Sequence, residues 1–363
     1  MACNEGGGVI QAWLNRIGTA TPVHDMHDAC VEFGRGLLAD ERSRALFGRM
    51  AGLADIRHRY AIFAPAGSPE NGAFDREGFY RRGAFPSTAR RMARFATEAR
   101  RLGAAAIAAL DLGAERDAVT HLVVASCTGF AAPGLDFDIM RDAGLRASVE
   151  RTAVGFMGCF AAVNVLKLAR HIVRSEPGAV VLVVNLELCS LHLQEQWELE
   201  KMLSFLLFAD GASAALVSAA PTGLALGQFS ATVLPDSEGL ITWQVGDSGF
   251  HMHLSGQVPG RIRRFLREHG VGLLGNRTAA EIAHWAVHAG GRSVLDAVQE
   301  GLALGPQALR HSRVVLREFG NMSSATLMFV LDRILREGGG AGDGVAMAFG
   351  PGLTVESFAF RCA

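Results

Sequence analysis

The strongest constraint on this chain is that one local pattern occurs in it twice. Gly155-Phe-Met-Gly-Cys, followed by an apolar helical stretch, is echoed 165 residues later by Gly320-Asn-Met-Ser-Ser followed by ATLMFVLDRIL. Asp210-Gly-Ala-Ser-Ala-Ala-Leu-Val is echoed in the same way by Asp343-Gly-Val-Ala-Met-Ala-Phe, each a loop that enters a strand. Two halves with one element order predict a duplicated α/β unit. A cut near Pro221 divides the chain into an N-terminal half, 1–220, and a C-terminal half, 221–363.

The elements within the halves follow from hydrophobic period. His121–Ser126 (HLVVAS) and Ala179–Leu188 (AVVLVVNLEL) are short apolar runs with no helical period, which suits strands buried on both faces. Cys159–Val173 between them reads as a helix, and strand, helix, strand indicates a layered α/β protein. Nearer the start, Asp40–Ile56 predicts a helix whose apolar stripe is Leu46, Met50 and Leu53. Ser87 and Thr88 offer a cap, after Pro86, to a second helix running to Leu110, whose arginines read as a solvated face.

Composition narrows the function classes. Lys and Arg number 35 against 36 acids, so no long-range field would hold a nucleic acid. The apolar strips are far shorter than the roughly 20 residues that span a bilayer, so no stable membrane insertion is expected. MACNEGGGVI lacks the features of a secretory leader, which predicts a cytoplasmic protein. Six scattered cysteines suggest reduced thiols and neither a disulfide framework nor a metal site. With only Lys167 and Lys201 present, cationic contacts to a ligand must come almost entirely from arginine.

Cys159 stands out among the cysteines. It opens an apolar helix after a glycine turn, where free N–H groups and the helix dipole would lower a thiol pKa; the alternative is a small core residue. A thiolate needs a proton partner, and there are twelve histidines. His24, His27, His58, His269 and His311 lie in polar stretches that suggest solvated rings. His288 ends a strand-like segment directly before Ala-Gly-Gly and a helix, a place for a catalytic or an equally plausible structural imidazole. Asn321 lies at the turn opening the echoed helix; it is a helix cap, or, if the halves are pseudo-symmetric, an amide facing the thiolate.

Seven strings, ASCTGFAAPG, GFMGCFAAVN, FADGASAAL, PDSEGLITW, HAGG, GNMSSA and AFGPGLTVE, then resemble the type III polyketide synthases typified by chalcone synthase, in order and from about Ala45 to the end. The resemblance implies a five-layer αβαβα thiolase-like fold in two duplicated halves, a homodimer, and an acyltransferase that uses acyl-CoA and malonyl-CoA with no cofactor and no metal. It implies Cys159 as nucleophile, His288 and Asn321 as its partners, and Phe208 as a gatekeeper between tunnel and cavity. Cys127, Ala132, Cys189, His192, Ser204, Trp243 and Met252 would surround the cavity, and Gly350, Pro351 and Gly352 would shape it. Arg49 matches a basic CoA contact, while two neighbouring basic positions are here Leu46 and Leu53.

Further departures concern the product. Ala289 replaces a usual proline, and Trp243 replaces a glycine-like position and should obstruct part of the cavity. The implied reaction is iterative decarboxylative condensation of malonyl-CoA onto an acyl group held on Cys159, then cyclisation to a pyrone, resorcinol or related aromatic. A ketoacyl-carrier-protein synthase III-like enzyme and a Cys-His-Asn acyl-CoA thioesterase are the alternatives. A paralogue that only binds acyl-CoA is the remaining reading.

Overall fold

The computed structural model describes residues 10–66, 72–195, 202, 206–274, 277–337 and 340–362. Its frame is a nine-stranded sheet in the order β11-β12-β13-β8-β1-β7-β6-β4-β5. The strands of the first half are β1 (Trp13–Ala20), β4 (His121–Ser126), β5 (Glu150–Gly155), β6 (Val181–Leu188) and β7 (Asp210–Ser218). Those of the second are β8 (Leu224–Val233), β11 (His284–Val287), β12 (Gly342–Gly350) and β13 (Thr354–Cys362). Between them come two small sheets, β2 (His24–Asp25) with β3 (Tyr60–Ala61), and the hairpin of β9 (Ile241–Gly246) and β10 (Gly249–Leu254).

The nine strands behave as two half-sheets. β1 and β8 pair only through Trp13 with Ala225 and Leu14 with Leu224. Helices α5 (Ala161–Ser175) and α9 (Ser324–Glu337) lie between the half-sheets, and one apolar cluster joins their Val165, Leu166, Leu327 and Val330 to Val183 of β6 and Phe358 of β13. A second cluster packs α3 (Thr88–Leu110) through Phe95, Leu102 and Ala106 on the outer face of the first half. A third packs α6 (Val258–Leu273) and α7 (Arg292–Gly301) through Ile262, Leu266, Leu295 and Val298 on the outer face of the second. The result is the expected αβαβα layering. Each fully buried Val or Leu at these faces contributes about 1.5–3 kcal/mol, so α5 and α9, buried between two sheets, form the most strongly held layer.

Local chemistry explains the boundaries. β6 is buried along all eight residues, as an interior strand covered on both faces must be. Ser87 accepts the Arg90 N–H at the start of α3. The end of α3 lies directly on β1: a Cβ at Gly18 would stand 2.1 Å from the Leu110 nitrogen, so only glycine permits that approach.

Three expectations are corrected. The helix α2 (Glu41–Leu53) forms under an Asp40 cap, but it buries Phe47 and Ala51, whereas Met50 and Leu53 are exposed. The Phe47 side turns inward because α1 (His27–Leu37) supplies an apolar partner face through Leu37 and the adjoining Leu38. Arg91 of α3 is fully buried, donating to the carbonyls of Pro86, Leu191 and Leu193. His311, at the start of α8 (Arg310–Phe319), is buried rather than solvated. No described helix is long and apolar enough to cross a membrane.

Candidate active site

Two turns, one from each half, converge between the half-sheets. In the first, Phe156 (φ 57°) and Gly158 (φ 77°) are left-handed, and a short 3₁₀ turn, Gly158–Phe160, carries Cys159 into α5. The α-helix therefore begins two residues after the cysteine. A Cβ at Gly158 would stand 2.3 Å from Pro351 Cδ, and one at Gly350 would lie 2.6 Å from the Phe160 ring. Gly350 to Gly352 thus brace the cysteine turn. The Gly158 N–H donates to Cys127 Sγ at 3.0 Å.

The second turn is Gly320 to Ser323, again with left-handed residues at Gly320 (φ 69°) and Ser323 (φ 48°). A left-handed conformation at a serine is costly, and its persistence here marks a turn determined by its surroundings. Asn321 forms an isolated parallel bridge with Phe208: its N–H donates to Leu207 O at 2.8 Å, and Ala209 N–H donates to its carbonyl at 2.9 Å. The Asn321 amide donates through Nδ2 to Gly290 O at 3.2 Å and accepts the Ser323 N–H at Oδ1 at 2.8 Å. The side chains of Ser323 and Asn321 lie near enough to the Cys159 thiol to favour its ionised form.

His288 follows β11, anchored by its N–H to Met347 O at 2.8 Å. It is 1% exposed, and neither ring nitrogen has a hydrogen-bond partner among the described residues. Its turn reaches Asn321 through the Gly290 carbonyl, so the structure brings Asn321 close to Cys159 and links the His288 turn to Asn321. Burial pushes the imidazole down to about 3, leaving a neutral ring with one free acceptor and one free donor.

The thiol departs from expectation. Cys159 is half-buried at the cavity; loss of hydration pushes its thiol up to about 12, the nearby Ser323 and Asn321 side chains work against that rise, and the negative charge of Glu187 adds to it. Thiol and imidazole are thus each held in the neutral form by loss of hydration.

The cavity next to Cys159 has a volume of about 310 Å³. Cys127, Cys189, His192, Phe208, Trp243, Met252 and Pro351 line it, whereas Asn321 and His288 are absent from its open lining. Gly350 and Gly352 flank Pro351 without lining it. Ala132 is exposed and lies outside the cavity, in the segment between β4 and α4 (Leu135–Asp142). Arg49 is on the exposed side of α2 and also outside. Ser204 falls outside the described residues.

One wall is rigidly built. Trp243 Nε1 donates to the Cys127 carbonyl at 2.8 Å, and its ring stands edge-on to His192 with centroids 5.3 Å apart. His192 stacks on Phe250 at 4.1 Å; it accepts the Phe250 N–H at Nδ1 (3.0 Å), and its Nε2 meets Thr128 O at 2.7 Å. Both ring nitrogens are thereby used, and burial pushes the ring down to about 3, so His192 is a neutral structural element.

Several site residues escaped the sequence reading. Ser323 lines the cavity and reaches the thiol. Glu187, fully buried at the end of β6, accepts hydrogen bonds from Cys127 N–H and Thr128 Oγ1, both at 2.9 Å, and from Ser324 Oγ; burial pushes it up to about 7. An acid within a largely apolar run was the available signal. Among the described residues, no cluster of three or more His, Cys, Asp or Glu is arranged to hold a metal ion.

Comparison with known proteins agrees with this arrangement along the whole chain. The family model for the N-terminal domain of chalcone and stilbene synthases matches residues 3–221, and that for the C-terminal domain matches residues 226–363. Among solved structures, PKS-I from the brown alga Ectocarpus siliculosus is similar at 26% identity and a TM-score of 0.89, over 99% of this chain and 100% of that one. The C-terminal type III polyketide synthase domain of Steely1, a type I/III hybrid from Dictyostelium, is similar at 22% identity and a TM-score of 0.87, over 97% and 99% of the two chains. CsyB complexed with CoA-SH is similar at 22% identity and a TM-score of 0.84, over 97% and 100%.

Proposed function

The chain belongs to the chalcone and stilbene synthase family, the type III polyketide synthases, and we propose that this acyltransferase extends an acyl-CoA starter, held on Cys159, by repeated decarboxylative condensation with malonyl-CoA. The observation that carries the reading is the approach of the Asn321 side chain, across the two halves, to the Cys159 thiol. Asn321 is bonded in turn to the Gly290 carbonyl, on the turn of a buried His288 whose ring nitrogens have no partner among the described residues.

The steps follow from those groups. His288 accepts the Cys159 proton, the thiolate attacks the starter thioester, and CoA leaves as a thiol after taking up that proton. Malonyl-CoA then loses carbon dioxide, and the electron pair of the broken bond becomes an enolate with its charge on the thioester oxygen. Two donors can meet that oxygen, the N–H of neutral His288 and the second N–H of Asn321 Nδ2, in a site where low dielectric strengthens both. The enolate carbon attacks the acyl-Cys159 carbonyl, forming one carbon-carbon bond and releasing the cysteine sulfur. Cyclisation of the extended chain to a pyrone, resorcinol or related aromatic completes the reaction.

Around this centre we assign Phe208, Cys127, Cys189, His192, Trp243 and Met252 to the walls that limit chain growth. For the CoA phosphates we assign Arg49 together with Arg292. Arg292 Nη1 donates to Leu53 O at 3.3 Å, which brings a second guanidinium to the end of α2, where Leu46 and Leu53 offer no charge.

One experiment tests the function and the wall together. The protein is incubated with malonyl-CoA and acyl-CoAs from acetyl to palmitoyl, and products are identified by mass. Polyketides carrying the starter are expected without any carrier protein; release of free acid with malonyl-CoA untouched would identify a thioesterase instead. In the same assay Trp243→Gly should add at least one extension to the main product, because it removes an indole from the cavity wall. An unchanged product distribution would show that the indole sets no limit.

We further propose a homodimer through the open edge of β5. That strand is exposed along Glu150 to Ala153, and Phe130 and Phe137, each 48% exposed, and Met157 supply apolar surface nearby. Sedimentation velocity should give twice the chain mass, and Phe137→Glu should give the single-chain mass; a wild-type monomer would refute the assignment.

A further inference from the structure

A buried arginine lines the cavity and packs on the asparagine turn. Arg59 is 2% exposed, and its Nε donates to His27 Nδ1 at 3.1 Å while Nη1 donates to the Phe208 carbonyl at 3.3 Å. Its own N–H donates to Asp25 Oδ1 at 3.1 Å, the oxygen that also accepts the His27 N–H at 3.0 Å. The other Asp25 oxygen is paired with His58 Nδ1 at 2.6 Å. His27 thus meets the guanidinium, while Asp25, itself paired with His58, fixes the Arg59 backbone.

The stem of Arg59 packs on the second turn. A Cβ at Gly320 would stand 2.8 Å from Arg59 Cγ and 2.9 Å from Leu207 O. Arg59 therefore touches the Phe208–Asn321 bridge from both chains that form it: the carbonyl of Phe208, and the residue that precedes Asn321. The bridge is isolated, with two backbone hydrogen bonds and no ladder beside it to fix its geometry. A guanidinium stays charged and keeps a planar fork of donors, so a buried one holds its acceptors in a fixed relation. Burial and the Arg59 charge together push His27 down to about 4, which keeps its ring neutral and able to accept.

We propose that Arg59 is a positioning residue of the reaction: by holding the Phe208 carbonyl and packing on Gly320, it sets the bridge and with it the placement of the Asn321 amide beside Cys159. The proposal rests on the reading of Asn321 as a donor to the enolate oxygen. It predicts that loosening Arg59 harms the step that needs Asn321 more than the step that needs only Cys159 and His288.

The test uses the full chain with Arg59→Lys, His27→Ala, His27→Gln and Asn321→Ala. Carbon dioxide release from malonyl-CoA and single-turnover acylation of Cys159 by a starter acyl-CoA are measured side by side, with the folded fraction from circular dichroism. Arg59→Lys and His27→Ala should lower carbon dioxide release about tenfold or more while acylation stays within about threefold, since misplacing a catalytic group by an ångström costs on that scale. His27→Gln, whose amide oxygen can accept the Arg59 N–H, should restore release. If both rates fall together with the folded fraction, or neither moves, Arg59 is structural only and the proposal fails. Should Arg59→Lys not fold, the two His27 variants decide it by the same criterion. If Asn321→Ala itself keeps carbon dioxide release, the underlying reading fails, whatever the Arg59 variants do.

Discussion

Replacing Cys159 with alanine is expected to end polyketide formation, with a loss of at least about a thousandfold in condensation, because no acyl group can then be carried covalently between extensions. The change removes one sulfur atom from a buried turn whose backbone is braced by Gly350 to Gly352 and by the Gly158 N–H bond to Cys127. Its effect on stability should be about 1 kcal/mol, a shift of a few degrees in melting temperature. Intact-mass analysis after exposure to the starter should show the acyl adduct on the wild type and none on the variant. A variant that still forms products would remove Cys159 from the reaction.

His288→Gln should separate the two half-reactions. Glutamine keeps an amide N–H near the enolate oxygen but cannot take a proton, so decarboxylation should fall about a hundredfold or more. Acylation should survive in part, with a changed pH dependence. With the thiol pushed up to about 12, its ionised fraction below that value rises as pH rises. Without a base, acylation of the variant should therefore climb with pH, close to tenfold per unit, whereas the wild type should depend on pH less steeply. Equal loss of acylation and decarboxylation at every pH would show that His288 supports the fold alone.

Much of the architecture was legible because its cause is local. The runs at His121–Ser126 and Val181–Leu188 are apolar without a helical period since both faces are covered, and burial of that kind writes itself into consecutive residues. The repeated turns were legible for a related reason: each needs a glycine where the chain enters a left-handed conformation, at Gly158 and at Gly320. What escaped depends on partners distant in the chain. Nothing near Arg91 indicates that the carbonyls of Leu191 and Leu193 will surround its guanidinium, and nothing near Arg59 indicates Phe208. The helix terminus beside Cys159 is visible in the sequence, whereas the loss of hydration that raises its thiol is not. Ala132 was placed by its string alone, and a string does not reveal which of its residues meet the cavity.

The Trp243 wall belongs to the β9–β10 hairpin, a separate two-stranded sheet that shares no backbone pairing with the nine strands holding the two converging turns. Natural selection can therefore enlarge or shrink the reaction chamber by exchanging residues on this hairpin without altering the strand pairing of the nine-stranded sheet. Lineages built on this plan should diverge fastest in what they make and slowest in how they make it.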